Sequence, residues 1–219
     1  MGKEIDLMVN YPKSKRDVNA RGMEKTPEDR AIAREFGQAF FDGSRDTGYG
    51  GFSYNPRFWQ PVIPTFAQHF SLNHQSKILD VGCAKGFMLY DFTQLIPGIE
   101  VQGIDISQYA IDNAIEEVKP FLQVGNAVSL PYDDNSFDAA FSITTLHNLE
   151  IDELAIALQE LERVSKGKSF ITNDAYRDAV EKERMEAWNL TAKTMMHVDE
   201  WQAFFKKVGY TGDFYWFIP

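Results

Sequence analysis

The chain has 219 residues, 44 % of them hydrophobic, enough to bury one sizeable core within a single domain. Its formal net charge of −10 makes nucleic acid and anionic membrane poor partners, because a polyanion meets repulsion over most of such a surface. A single cysteine excludes an intrachain disulfide, the first residues lack the apolar stretch of a secretory signal, and no run reaches the ~18 apolar residues of a membrane span, so a cytoplasmic protein is expected.

Residues 1 to about 27 are polar and of mixed charge, without a period. Residues 27 to 42 read as one helix, with Thr26 and Pro27 as its start signal and Ile32, Phe36 and Phe40 near helical spacing. Residues 41 to 59, FDGSRDTGYGGFSYNPRFW, form a loop with four glycines and six aromatic rings. Such a loop is either pinned to the core by its rings or serves as a lid over a ligand. Its Tyr49, Tyr54 and Arg57 are candidate substrate contacts, Arg57 as a clamp for an anionic group. Residues 60 to 72 read as a further helix.

From Lys77 the pattern alternates between strands and helices. KILDVG, VQGIDI, FLQVGNA, FDAAFSIT and SFITNDA read as five strands. GFMLYDFTQLI, SQYAIDNAIEEV and IDELAIALQELERV read as helices between them, the second capped by Ser107 and the third by Asp152. DEWQAFFKKVG is a helix capped by Asp199 and stopped by Gly209, and YTGDFYWFIP looks like a final strand. Alternation of this kind means βαβ units and a mostly parallel sheet with helices on both faces, a Rossmann-like three-layer α/β sandwich with an N-terminal helical and lid extension. Residues 1–76 are expected as that extension, 77–175 as the ligand-binding core and 176–219 as substrate-side helices with the final strand. Ligands in such sheets bind at the carboxyl ends of the strands.

ILDVGCAKG, residues 78–86, runs from strand through a glycine turn into a helix. Gly82 and Gly86 allow a ligand near the backbone, and the helix N-terminus offers free N–H groups. Alone, such a loop is shared by sites for NAD, FAD and S-adenosylmethionine. The Gly82, Ala84, Gly86 spacing does not fit the dinucleotide fingerprint. Asp80 would repel a pyrophosphate and suits a ligand carrying an ammonium and a sulfonium. Cys83 reads as a small packing residue of the loop. Asp105 ends the second strand, about 20 residues on, where an acid accepts hydrogen bonds from ribose hydroxyls. Asn126 and Ala127 end the third strand, where the Asn126 oxygen and the Ala127 N–H match the edge of an adenine. No His, Cys or acid cluster has metal-ligand spacing, so no metal is expected.

The ordered set ILDVGCAKG, GIDIS, GNAVSLPYDDNSFD and TTLHNL resembles the motif series of class I S-adenosylmethionine-dependent methyltransferases over residues 77 to about 175. The middle glycine of the family loop is Ala84 here, and the usual acid before the alanine is Asn126. The resemblance implies S-adenosylmethionine as cofactor, with Asp80 and the backbone of Gly82, Cys83, Ala84 and Gly86 on the methionyl end. It places Asp105 on the ribose, Ile106 against the adenine, Asn126 and Ala127 on the adenine edge, and Thr144 and Leu146 along the methionine arm. It also implies the sheet order 3-2-1-4-5-7-6 ending in an antiparallel strand, and this chain reads as one strand short or as using another segment there.

His147, just past the fourth strand, is the candidate general base, or a histidine that shapes its loop. Asn173, Asp174 and Tyr176 at the end of the fifth strand are expected to face the same cavity and bind substrate. The function so read is methyl transfer to a small-molecule acceptor, sugar-like or a secondary metabolite, with no nucleic acid or membrane partner and nothing that excludes a homo-oligomer. The alternatives are a nicotinamide-dependent oxidoreductase on a similar sheet and a cofactor-binding partner protein without turnover.

Overall fold

The structure, a computed structural model, describes residues 2–12 and 25–218. The polar arm expected at the start of the chain lies in part outside them, as does Pro219. Among the described residues no helix is long and apolar enough to cross a membrane.

The N-terminal helix begins where the sequence places it. The Thr26 hydroxyl accepts from the Asp29 N–H, the Asp29 carboxylate accepts from the Thr26 N–H, and Pro27 occupies the first turn. It does not run on to residue 42. α1 spans Pro27–Ala33 and α2 spans Gln38–Phe41, because Phe36 adopts φ +49° ahead of Gly37. A one-turn α3, Pro56–Trp59, capped by Asn55, and α4, Ile63–Phe70, follow.

The strands are β1 (Lys77–Val81), β2 (Glu100–Asp105), β3 (Leu122–Val124), β4 (Ala139–Ile143), β5 (Ser169–Tyr176), β6 (Met196–His197) and β7 (Asp213–Phe217). The helices between them are α5 (Phe87–Leu95), α6 (Gln108–Asp112), α7 (Ile151–Val164), α8 (Ala179–Trp188) and α9 (Val198–Val208). The order across the sheet is β3-β2-β1-β4-β5, and β7 and the two-residue β6 both pair with β5. All of these pairings are parallel. The antiparallel strand that the resemblance implies is therefore not found among the described residues. β7 lies directly beside β5, with Phe170 opposite Asp213 and Asp174 opposite Phe217. The first residues of the chain take the next place: the Ile5 N–H donates to the Phe214 carbonyl and the Phe214 N–H to the Lys3 carbonyl.

Three helix boundaries differ from the sequence reading. α6 is one turn, because the Asn113 side chain caps the Tyr109 carbonyl and the chain then folds so that the Ile115 N–H donates to Lys85, back in the glycine loop. Ala114 and Val118 still reach the core, but from turns. α7 is capped by Glu150 in a reciprocal pair with Glu153, not by Asp152, which sits inside the first turn. α9 is capped by His197, not by Asp199, and ends at Gly209 in the left-handed conformation as expected.

The strands are buried on both faces, so they read as nearly continuous apolar runs, and period two sends alternate side chains to different cores. Ile78, Phe141 and Phe170 join Phe66 of α4 and Phe92 of α5 on one face. Leu79, Ala140 and Ile171 join Leu154 and Leu158 of α7 and Trp201 and Phe205 of α9 on the other. Phe141 is fully buried, stacked on Phe92 at 5.8 Å and edge-on to Phe66 at 5.1 Å. Phe141→Ala is expected to destabilise the fold by about 3–5 kcal/mol, since the rings around it cannot close the cavity. Urea unfolding followed by tryptophan fluorescence measures it, and a change under 1 kcal/mol would mean that this core is not packed as described.

Candidate functional site

The carboxyl ends of β1, β2 and β4 converge on the glycine loop. Gly82 and Gly86 have φ of +88° and +77°, a region open to glycine, and Ala84 shares it at φ +48°. The two glycines are also needed by the protein itself. A Cβ on Gly82 would stand 2.2 Å from the Thr145 hydroxyl, and one on Gly86 would stand 2.8 Å from Leu122. Close packing of the β4 loop and of β3 therefore demands them independently of any ligand. The Gly82 and Cys83 N–H groups both donate to the Ile104 carbonyl, which fixes the loop against β2. Cys83 is buried, and burial pushes its thiol well above the ordinary range, which makes it an inert packing group.

Asp80 is 4 % exposed at the end of β1. Burial, with the nearby Asp105 carboxylate adding to it, pushes its carboxyl up to about 8. Asp105 ends β2 half-buried, and its two oxygens accept from the N–H groups of Ala84 and Ser107, each at 2.8 Å. Burial raises its carboxyl too, against those two bonds. Beside Asp105 stand two exposed apolar side chains, Ile106 (56 %) next in sequence and Val124 (43 %) opposite it in β3. A buried acid with no cation beside it among the described residues, a half-buried acid with spare lone pairs, and an apolar rim beside it fit the ammonium, ribose and adenine of S-adenosylmethionine. Asn126 and Ala127 are half-buried nearby, and the Asn126 oxygen accepts from Val128 N–H in its own turn.

Past β4, Thr144 holds φ +50°, a strained position for a β-branched residue, with its N–H on the Thr172 carbonyl and its side chain exposed at the rim. Leu146 is 1 % exposed and belongs to the core beneath α7, so its side chain is a packing group and not part of an open arm.

His147 does not have the geometry of a general base. It is buried, and its Nδ1 accepts from the Asp174 N–H at 3.2 Å. A neutral ring that accepts at Nδ1 carries its proton on Nε2, here 3.7 Å from the Asp174 carboxylate, and no lone pair is left for a substrate. Burial lowers the His147 pKa and raises that of Asp174, each against the attraction between the two. His147 also receives the N–H groups of Lys193 and Thr194 on its carbonyl. These contacts make it a loop-shaping residue.

Asn173, Asp174 and Tyr176 do not share one cavity. Strand alternation puts Asn173 on the face of Ile171 and Ala175, fully buried, and Asp174 and Tyr176 on the other. Asp174 is held by the Asn189 side chain, while the Tyr176 ring packs near His197 and Lys182. In the 41–59 loop, Tyr54 donates to Asp91 at 2.6 Å, and burial with that carboxylate pushes its hydroxyl up to about 12. Tyr49 packs with Phe40, Phe41 and Phe52, and the Arg57 guanidinium lies over Phe58, whose ring meets Tyr11.

The sequence reading overlooked the groups that roof this end of the sheet. Arg30 donates to the carbonyls of Glu186 and Asn189, and Arg34 to those of Thr191 and Ala192. Ser107, two residues past Asp105, donates to the Phe36 carbonyl. α1 and α2 therefore reach from the end of β2 to the segment behind Asp174. Lys85, inside the glycine loop, pairs with Asp42. Its position, where the loop needs only small residues, is the one signal that could have disclosed it.

The raised Asp80 pKa fixes the sign of a pH effect. The folded state keeps a proton that the unfolded chain loses near pH 4, so the benefit is complete below about pH 4 and is lost as pH rises through about 8. Asp80→Asn is expected to melt higher than the wild type at pH 8, with the gap shrinking toward pH 5. Thermal denaturation across that range checks it, and a gap independent of pH would show that Asp80 is not a buried acid.

Residues 79–172 match the methyltransferase domain family. A demethylmenaquinone methyltransferase of Symbiobacterium thermophilum is 36 % identical over 126 residues, covering 53 % of this chain and 49 % of that protein. A tRNA (carboxymethyluridine(34)-5-O)-methyltransferase of Arabidopsis thaliana is 34 % identical over 146 residues, covering 64 % of this chain and 33 % of that protein. The chain thus spans between a third and a half of the length of these curated relatives. The YcgJ protein of Bacillus subtilis has the same fold, with a TM-score of 0.53 at 19 % identity over 67 % of this chain and 66 % of that one. These matches make residues 79–172 a methyltransferase domain, carried on a Rossmann-like fold with a mostly parallel sheet.

Proposed function

We propose that this chain transfers the methyl group of S-adenosylmethionine to a small-molecule acceptor. The observation that carries the reading is Asp80, a buried carboxyl at the end of the central strand beside a loop that would otherwise suit a phosphate. A cation there relieves the burial of charge, and a pyrophosphate would worsen it. Asp80 and the loop from Gly82 to Gly86 hold the methionyl end, Asp105 the ribose, Ile106 the adenine face, and Asn126 with Ala127 the adenine edge. Thr144 lines the rim toward the reacting methyl.

The cofactor supplies a methyl on an activated sulfonium, open to in-line displacement. The residues of the chain bind, orient and exclude water, and proximity and orientation are the main protein contribution to such a step. The roof of α1 and α2, tied to Ser107 and to residues 186–192, provides the enclosure. With His147 buried and its Nδ1 accepting from the Asp174 N–H, a hydroxyl acceptor that needs a base would have to find one elsewhere. A net charge of −10 favours a small acceptor over the RNA named for one relative.

Two outcomes are expected. S-adenosylhomocysteine at about 100 times its dissociation constant should stabilise the protein by about 2.7 kcal/mol in a thermal-shift series, and NADH should leave it unmoved. Stabilisation by NADH alone overturns the cofactor assignment. Asp105→Ala should weaken S-adenosylhomocysteine by roughly 1.5–3 kcal/mol in calorimetry, through lost hydrogen bonds to a charged group, with the fold retained. Unchanged affinity removes Asp105 from the site.

A further inference from the structure

Lys85 occupies the glycine loop, between Ala84 and Gly86, and is only 7 % exposed. Its ammonium donates to Asp42 Oδ2 at 2.5 Å and to the Phe52 carbonyl at 2.9 Å. The same Asp42 oxygen accepts from the Tyr109 hydroxyl at 2.8 Å, and Asp42 Oδ1 accepts from the Phe52 N–H at 2.9 Å. Burial works against the Asp42 charge, and these donors together hold its carboxyl below the ordinary range. Rings close around the cluster: Phe52 stacks on Phe87 of α5 at 4.9 Å, and Phe41 stacks on Tyr109 of α6 at 6.3 Å.

Two polar ties therefore reach the same N-terminal segment from two different loops. Lys85 comes from the loop after β1, and its carbonyl also receives the Ile115 N–H. Ser107, which holds the Phe36 carbonyl, and Tyr109 come from the turn after β2, next to Asp105. The segment from Phe36 to Phe52 can meet all of these partners only when both loops keep the geometry seen here.

The geometry points to Lys85 as a positioning residue that couples closure of residues 36–52 to cofactor binding on the glycine loop. The inference rests on the assignment of S-adenosylmethionine to that loop. Lys85 need not touch the ligand. A ligand that fixes the loops after β1 and β2 holds the Lys85 ammonium and the Tyr109 hydroxyl where Asp42 takes both. By linkage, an Asp42 that cannot take them loosens the loops and weakens the ligand by the same factor. Lys85 is buried and Asp42 exposed, so removing Asp42 leaves the buried ammonium only the Phe52 carbonyl, and the coupling is read best from both single variants and the double.

The test uses the full chain and S-adenosylhomocysteine. Calorimetry gives the dissociation constant for the wild type, Lys85→Met, Asp42→Asn and the double variant, each first checked for a cooperative melt. Each single change is expected to weaken binding about tenfold, within the usual range for coupled sites, and the double to weaken it no further than the worse single. Protease cutting within residues 42–53, slowed by ligand in the wild type, should proceed at the same rate with and without ligand in Lys85→Met. Tyr109→Phe is the milder variant, and it should move binding in the same direction by less if the other two fail to fold. Single effects that multiply in the double, or unchanged affinity with ligand protection intact, overturn the coupling while leaving the cofactor assignment standing. A wild type that does not bind S-adenosylhomocysteine overturns both.

Discussion

A carboxyl group held almost out of water at the end of a central strand shapes everything around it. Asp80 lies between β2 and β4, with Gly103 opposite it on one side and Phe141 on the other. Neither neighbour can neutralise it, and Asp105 adds a second acid close by. Such a carboxyl holds its proton unless a positive group comes beside it, and an anion there would hold the proton on more firmly. In the function proposed above, a cationic ligand lets this carboxyl ionise, whereas the N-terminus of α5 alone would suit a phosphate.

The sheet was legible because both of its faces are covered. Five apolar runs, each followed by a turn and a helical period, leave few other arrangements, and the edges of β1, β2, β4 and β5 fall close to where the runs begin and end. Asp80, Asp105 and the two glycines were legible for a related reason: polar or flexible residues at strand ends stand out against apolar strands. Residues whose role depends on which way they point were not. Asn173 and Asp174 are neighbours in sequence and lie on opposite faces. Leu146 and His147 follow a strand end as an exposed arm would, yet both turn inward because Thr144 takes a left-handed backbone and redirects the chain. Phe36 breaks the first helix by the same means. A single φ angle of that sign leaves little trace in a sequence unless the residue is glycine.

Long-range polar contacts were the least legible of all. The partners of Arg30 and Arg34 are carbonyls more than 150 residues away. Asp42 is met by Lys85 and Tyr109, which come from two other elements. No local period encodes such meetings. They exist because the N-terminal extension crosses the open end of the sheet and needs polar anchors on both sides of it.

The pairing of residues 3–5 with Phe214 has a consequence for how the molecule is made. Lys3, whose N–H donates to the Asp213 carboxylate, stands 210 residues from its partner. Closing so long a loop adds an entropic term that contacts formed elsewhere must offset first. This edge is therefore expected to assemble after the strands of the central sheet have associated, and Leu7, buried in the core a few residues on, then holds it in place.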